Sequence, residues 1–139
     1  MKDNASPNAQ ANLHLTHRCD DLEKLLCAYS KGNDSYIDDI GTLTEYGLDF
    51  DYVPASVAGD NAQGYWRYLL SCGGPREEFR FYALRDMSLT SINFVFLDRP
   101  NKVIIKLHGK KYRLLKDMWQ FFCDTGIADA AFTKANIDL

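Results

Sequence analysis

The side chains whose types and spacing could perform chemistry begin with His14-x-x-His17-x-Cys19, with Cys27 further on. Imidazole and thiolate are metal ligands, but structural zinc sites join such a knuckle to a second matched pair, and none follows here. We read these residues as histidines and thiols around a helix and expect no metal and no cofactor. Ser71-Cys72-Gly73-Gly74 places a hydroxyl and a thiol beside a glycine turn. Reactive thiols do sit near exposed backbone amides, yet the Gly-x-Ser-x-Gly spacing of a nucleophile elbow is missing, as is the Gly-Lys-Ser/Thr of a phosphate loop. A hairpin turn is the plainer reading. His108, next to Gly109, would need an oriented carboxylate to act as acid or base, so a turn histidine is expected there.

Three carboxylate pairs remain: Asp38-Asp39, Asp49-x-Asp51 and Glu77-Glu78. Glycoside-type hydrolysis needs two carboxylates facing each other across a cleft. Acids on an outward strand face ordinarily meet solvent and discourage edge-to-edge pairing, and that is the expectation for these.

Charge is distributed unevenly. The chain has 139 residues and a net charge of −3, but residues 1–60 hold eleven acidic side chains against four basic ones. From Arg99 to Lys116 there are seven basic residues (Arg99, Lys102, Lys106, Lys110, Lys111, Arg113 and Lys116) and no acid. Positive charge at the start of a helix opposes its dipole, so something other than helix stability would hold Lys110, Lys111 and Arg113 there. Phosphate binding is one explanation and contact with an acidic protein surface another. In the first half, Asp20, Asp21, Glu23, Asp38, Asp39, Asp49 and Asp51 could present carboxylates to a basic groove on a partner.

These groups must be held by a fold, and 139 residues suit one domain large enough for its own core. The first 13 residues are polar and read as a disordered or extended tail, leaving 14–139 as a single domain. Leu22, Leu25, Leu26 and Tyr29 recur at helical spacing over Arg18–Ser30, with Thr16 as a cap and Gly32 as a stop. A second helix is predicted over Tyr36–Tyr46, capped by Ser35 and ended by Gly47. Leu48-Asp49-Phe50-Asp51-Tyr52 alternates as a strand with Leu48, Phe50 and Tyr52 inward. Further strands follow at Tyr65–Leu70, Phe79–Leu84, Ile92–Leu97 and Lys102–Leu107, the last with Val103, Ile105 and Leu107 inward. Gly73-Gly74-Pro75 and Arg99-Pro100-Asn101 are turn signals. Lys111–Cys123 carries an apolar stripe of Tyr112, Leu115, Met118, Trp119, Phe121 and Phe122, and Ala128–Ala135 reads as a short helical turn. The expected class is α+β: two N-terminal helices, a five-stranded antiparallel meander, and a C-terminal helix packed on the sheet. No apolar run approaches a membrane span and no secretory signal opens the chain, so a cytoplasmic protein with four reduced, buried thiols is expected.

The run Leu43-Thr44-Glu45-Tyr46-Gly47-Leu48-Asp49-Phe50-Asp51-Tyr52-Val53, then Gly64-Tyr65-Trp66-Arg67-Tyr68, Gly73-Gly74-Pro75, Glu78-Phe79-Arg80-Phe81-Tyr82 and Phe96-Leu97-Asp98, resembles a small domain carried by plasmids, phages and integrative elements of proteobacteria. The likeness spans about residues 43–98. Members often continue with a Trp-Phe-Asp-Gly-like loop, where this chain has Arg99-Pro100-Asn101-Lys102. The resemblance implies a mobile-element accessory protein without established enzymatic activity, a setting in which small acidic proteins often blunt host restriction or CRISPR systems.

The leading expectation is therefore a non-enzymatic inhibitor that docks on a host or defence-system protein complex handling nucleic acid. Its docking residues would be the carboxylates of the first half and Lys102, Lys106, Lys110, Lys111 and Arg113. The alternatives are a nucleic-acid-binding accessory or regulatory protein using residues 99–116, and a small enzyme using Cys72 or His108. No membrane contact is expected.

Overall fold

A computed structural model describes residues 6–32, 36–56 and 63–137. The elements run α1 (Pro7–Ser30), a 3-10 turn (Leu43–Glu45), β1 (Asp49–Val53), β2 (Tyr65–Ser71), β3 (Arg76–Ala83), β4 (Leu89–Asp98), β5 (Asn101–Lys106), α2 (Gly109–Asp124) and α3 (Ile127–Ile137). The strands form one antiparallel meander in sequence order. The α+β class and the five-stranded sheet are as expected. The helices are so only in part: α2 covers the helix predicted over Lys111–Cys123, while the N-terminal arrangement differs.

α1 starts 11 residues before Arg18, at Pro7, so residues 7–13 are its first turns and not a tail. Ser6 caps it by accepting from the Ala9 N–H at 3.1 Å, and Pro7 takes the first helical position, where a missing N–H costs nothing. Only Ala11 and Leu15 anchor this part of the helix, too few among Asn, Gln and His to show a period. They continue as a buried line through Cys19, Leu22 and Leu25.

The second helix expected over Tyr36–Tyr46 does not form. Residues 37–41 make a tight turn closed by an isolated bridge between Ile37 and Gly41, with Asp39 and Gly41 at φ of 70° and 104°. A glycine in the left-handed region tolerates that turn and interrupts a helix. The expected cap Ser35 lies outside the described residues. Tyr36 is 70% exposed, while Leu43 at the 3-10 turn enters the core. Leu48, expected inward, is 60% exposed because the ladder begins one residue later. The Tyr68 ring fills the space against Gly47, where a Cβ would come within 2.2 Å of it. Phe50 and Tyr52 do turn inward.

One face of the sheet carries Phe50, Tyr52, Trp66, Tyr68, Leu70, Phe79, Phe81, Ile92, Phe94 and Phe96, and all three helices pack on it. α1 places His14 against Phe96, α2 places Trp119 and Phe122 against Phe81, and α3 places Phe132 against Tyr52 and Trp66. The two indole N–H groups, which burial would otherwise orphan, donate to backbone carbonyls: Trp66 to Ala128 at 2.9 Å and Trp119 to Met87 at 3.0 Å. The first bond fastens α3, which extends over eleven residues where a short turn was expected. Cys19 is buried and Cys123 half-buried, but Cys27 and Cys72 are exposed, so the expectation of four buried thiols holds only in part. No helix of the described residues is long and apolar enough to cross a membrane.

Phe81 is fully buried and stacks on Trp119 with ring centroids 5.3 Å apart. Truncating it leaves a cavity that neighbouring rings cannot close, so Phe81→Ala should lower unfolding free energy by about 3–5 kcal/mol. Urea unfolding followed by tryptophan fluorescence measures this.

Candidate functional site

The other face of the sheet has no helix on it among the described residues, and the two faces treat the adjacent carboxylates Glu77 and Glu78 in opposite ways. Successive strand residues point to opposite sides, so Glu77 faces the helices and Glu78 the uncovered side. Both are buried, at 4% and 2% exposure, which overturns the expectation of a solvated acidic face. Each is paired. Arg18 of α1 donates to both Glu77 oxygens, at 3.0 Å from Nε and 3.1 Å from a terminal nitrogen. Ser71 donates to Glu77 at 3.0 Å, and His14 Nδ1 lies 3.4 Å away. Arg18 also donates to the Tyr46 hydroxyl at 3.0 Å, and that hydroxyl donates to Asp21 at 2.8 Å. The network ties α1 to the strand ladder and to the 3-10 turn.

Burial alone would raise the Glu77 pKa, but the Arg18 and Ser71 hydrogen bonds, the Arg18 charge and nearby His14 outweigh it and hold it below the ordinary value. Burial foremost, with the Asp21 contact, pushes the Tyr46 hydroxyl upward against the opposing pull of the Arg18 hydrogen bond and charge. Ser71, Glu77 and His14 therefore meet, but with the carboxylate in the middle and neutralised by a guanidinium. A nucleophile needs a base beside it, and here the histidine lies against the acid and not the hydroxyl. The cluster is a clamp.

The charged residues singled out from the sequence are divided between two surfaces. Between α1 and α2 runs an open groove of about 900 Å³. Cys19, Leu26, Leu114 and Phe121 form its apolar lining, and Asp20, Glu23, Lys110, Lys111 and Arg113 line it at one end with Asp117 and Asp124 further along α2. Lys110 comes within 3.8 Å of Glu23. The acidic and basic sets, far apart in sequence, thus share one groove. Cys19 in its floor is pushed up to about 11, by burial foremost, and is no reactive thiol at neutral pH.

Lys102 and Lys106 belong to the uncovered sheet face instead, with Ile104 between them. Asp51 is on that face too, held by two Arg67 nitrogens, at 3.0 Å and 2.6 Å. Asp49 is exposed and accepts from the Phe50 N–H at 2.9 Å. Asp38 and Asp39 sit exposed in the 37–41 turn, away from any helix, and Asp21 is committed to Tyr46. Cys72 is exposed at the β2–β3 turn and His108 exposed just before α2, each with no side-chain hydrogen bond among the described residues. Of the His-x-x-His-x-Cys set, His14 turns to Glu77, His17 to solvent and Cys19 to the core. Among the described residues no three ligand-type side chains gather.

Sequence reasoning missed Arg18, Ser71, Glu77 and Glu78 as partners, and with them Arg67, Arg76 and Arg80. The alternation Arg76-x-Glu78-x-Arg80 was a signal, since it puts all three on one face. Set against known protein families, curated proteins and solved structures, the chain matches none.

Because Glu77 titrates lower folded than unfolded, its contribution to stability is full above about pH 4.5 and is lost as pH falls through the folded value. Unfolding free energy should therefore drop on acidification below that pH, and Glu77→Gln should flatten the drop. Arg18→Ala, which strands the buried carboxylate, should cost about 3–5 kcal/mol at neutral pH, while Arg18→Met with Glu77→Met should recover most of it. Denaturant titrations at a series of pH values check both.

Proposed function

We propose that this protein is a non-enzymatic binding protein that docks on a partner protein through the α1–α2 groove. The observation that carries the reading is the meeting of the acidic and basic sets around one apolar channel. Protein interfaces combine an apolar centre with a charged rim, the centre supplying affinity and the rim orientation and association rate. Two helices side by side, with an open seam between them, offer the concave surface into which an amphipathic helix lays its apolar face. The charges at one end, Lys110, Lys111 and Arg113 with Asp20 and Glu23, and the acids Asp117 and Asp124 further along α2, would fix which way such a helix lies.

The resemblance of residues 43–98 to a mobile-element domain suggests the finer reading. In it the partner is a host or defence-system complex that handles nucleic acid, and the protein inhibits it as anti-CRISPR and antirestriction proteins do. The enzyme alternative has less support: Cys72 and His108 have no partner that would activate them among the described residues.

Charge reversal at exposed positions changes stability little, within about 0.5 kcal/mol. The combined Lys110→Glu and Arg113→Glu variant, at two exposed positions, should therefore keep its unfolding midpoint. In nuclease-treated lysate from bacteria carrying restriction and CRISPR systems, the tagged parent should retain a stoichiometric protein that this variant loses. Retention of the same protein by the variant would remove the groove from the proposal.

A further inference from the structure

The uncovered sheet face is built unlike the groove and has no role in the docking reading. The strand register places Asp51, Arg67, Arg80, Asn93 and Lys106 in one row across the strands, each opposite the next. Neighbouring rows add Glu78, Arg76 and Lys102. We infer that this face binds single-stranded nucleic acid, taking phosphates on Lys102 and Lys106 and stacking bases on the guanidinium planes of Arg67 and Arg80.

Like charges directly opposite each other on a sheet are unfavourable, yet Arg67 and Arg80 are direct cross-strand neighbours. Both are held in place by carboxylates. Arg67 is forked onto Asp51, and Arg80 donates to Glu78 at 2.7 Å from the side opposite Arg76, whose Nε donates at 3.1 Å. The Arg80 guanidinium lies 4.5 Å above the Tyr65 ring, whose centroid is 5.6 Å from that of Tyr82. Flat cations fixed against a sheet, with no element over them among the described residues, have lost their rotamer freedom before any ligand arrives. Tyr65 is itself buried beneath Arg80, which leaves the guanidinium planes as the surfaces on which unstacked bases settle, and every base has such a face to offer.

The charge of the face fits the same ligand. Its strands carry Arg67, Arg76, Arg80, Lys102 and Lys106 against Asp49, Asp51 and Glu78, an excess of positive charge on a chain whose net charge is −3. The three arginines are spoken for by carboxylates, but Lys102 and Lys106 are exposed and have no ion-pair partner among the described residues. They therefore contribute charge, while the arginines contribute planes. Asn93, between Arg80 and Lys106, adds an amide donor and acceptor for a base edge. From β2 to β5 the row spans three strand spacings, roughly 14 Å. A duplex keeps its bases stacked inside and could not use the guanidinium planes, so the face selects the single strand.

The test is fluorescence anisotropy with labelled oligothymidylate and oligouridylate of twenty nucleotides and the full chain. Saturable binding is expected in the range of about 1–100 µM, with a salt slope near −1.4 for two lysine contacts. Lys102→Glu with Lys106→Glu should weaken it at least tenfold, and Lys24→Glu with Lys134→Glu, the same change in net charge on the helical layer, should leave it unchanged. Arg67→Lys keeps the charge but loses the plane, and should weaken binding several-fold at an unchanged salt slope. No saturation by about 100 µM would overturn the proposal. So would equal loss from both lysine pairs, a duplex binding as tightly as the single strand, or a face that buries itself in a dimer, seen by light scattering as a species of twice the mass that Lys106→Glu dissociates. A result of either kind leaves the groove untouched, since no groove residue is altered.

Discussion

Everything in this fold answers to a sheet that, among the described residues, carries helices on one side only. The three helices pack on one face, so the central strand β3 must present a dry surface to them and a surface stable in water to the other side. Glu77 and Glu78 mark the change. Adjacent in sequence, they point to opposite faces, and each is buried in a setting that would expel a lone carboxylate. On the covered side Arg18 reaches down from α1 to neutralise Glu77, and on the uncovered side Arg76 and Arg80 close over Glu78. Removing either set of arginines would leave an unpaired charge in the middle of the sheet.

The turns of α1 before Arg18 add Ala11, His14 and Leu15 to the contacts that hold it on the sheet. A helix ending its contacts at Leu22 and Leu25 would touch the sheet at one end only. Extending it back to Pro7 brings His14, Leu15 and Arg18 over β3 and β4, where His14 meets Phe96 and Arg18 meets Glu77. The same extension leaves the later turns of α1, from Thr16 to Ser30, alongside α2, and the seam between those two helices is the groove.

The strands were legible because their signal is local: β-branched and aromatic residues in alternation, broken by glycine and proline turns. Val103 and Ile105 inward, with Lys102, Ile104 and Lys106 outward, follow from period 2 alone. α2 was legible for the same reason, its stripe being apolar at every turn. What could not be read is what depends on pairing across distance. Arg18 and Glu77 are 59 residues apart, and neither neighbourhood points to the other. The expected second helix over 36–46 had capping and spacing in its favour, and lost to the left-handed turn at Asp39 and Gly41. Of the site, the residue types were visible while their partition was not. The basic run 99–116 is continuous in sequence, but the turn at Leu107 and His108 sends its first half to the sheet face and its second half to the groove.

That partition decides what the charges can do. At the groove, Lys110 lies near Glu23, so both signs are available to a partner and neither dominates. A surface of mixed sign around an apolar channel discriminates by pattern, which suits a folded protein. On the sheet face Asp51 and Glu78 are paired internally with Arg67, Arg76 and Arg80, and Lys102 and Lys106 stand outward with no ion-pair partner among the described residues. A surface with an excess of positive charge and planar relief discriminates by charge and stacking, which suits a polyanion with exposed bases. Two faces with different chemistry on one small domain would let it hold a nucleic-acid strand and the protein that handles it at the same time, because neither ligand competes for a residue the other needs.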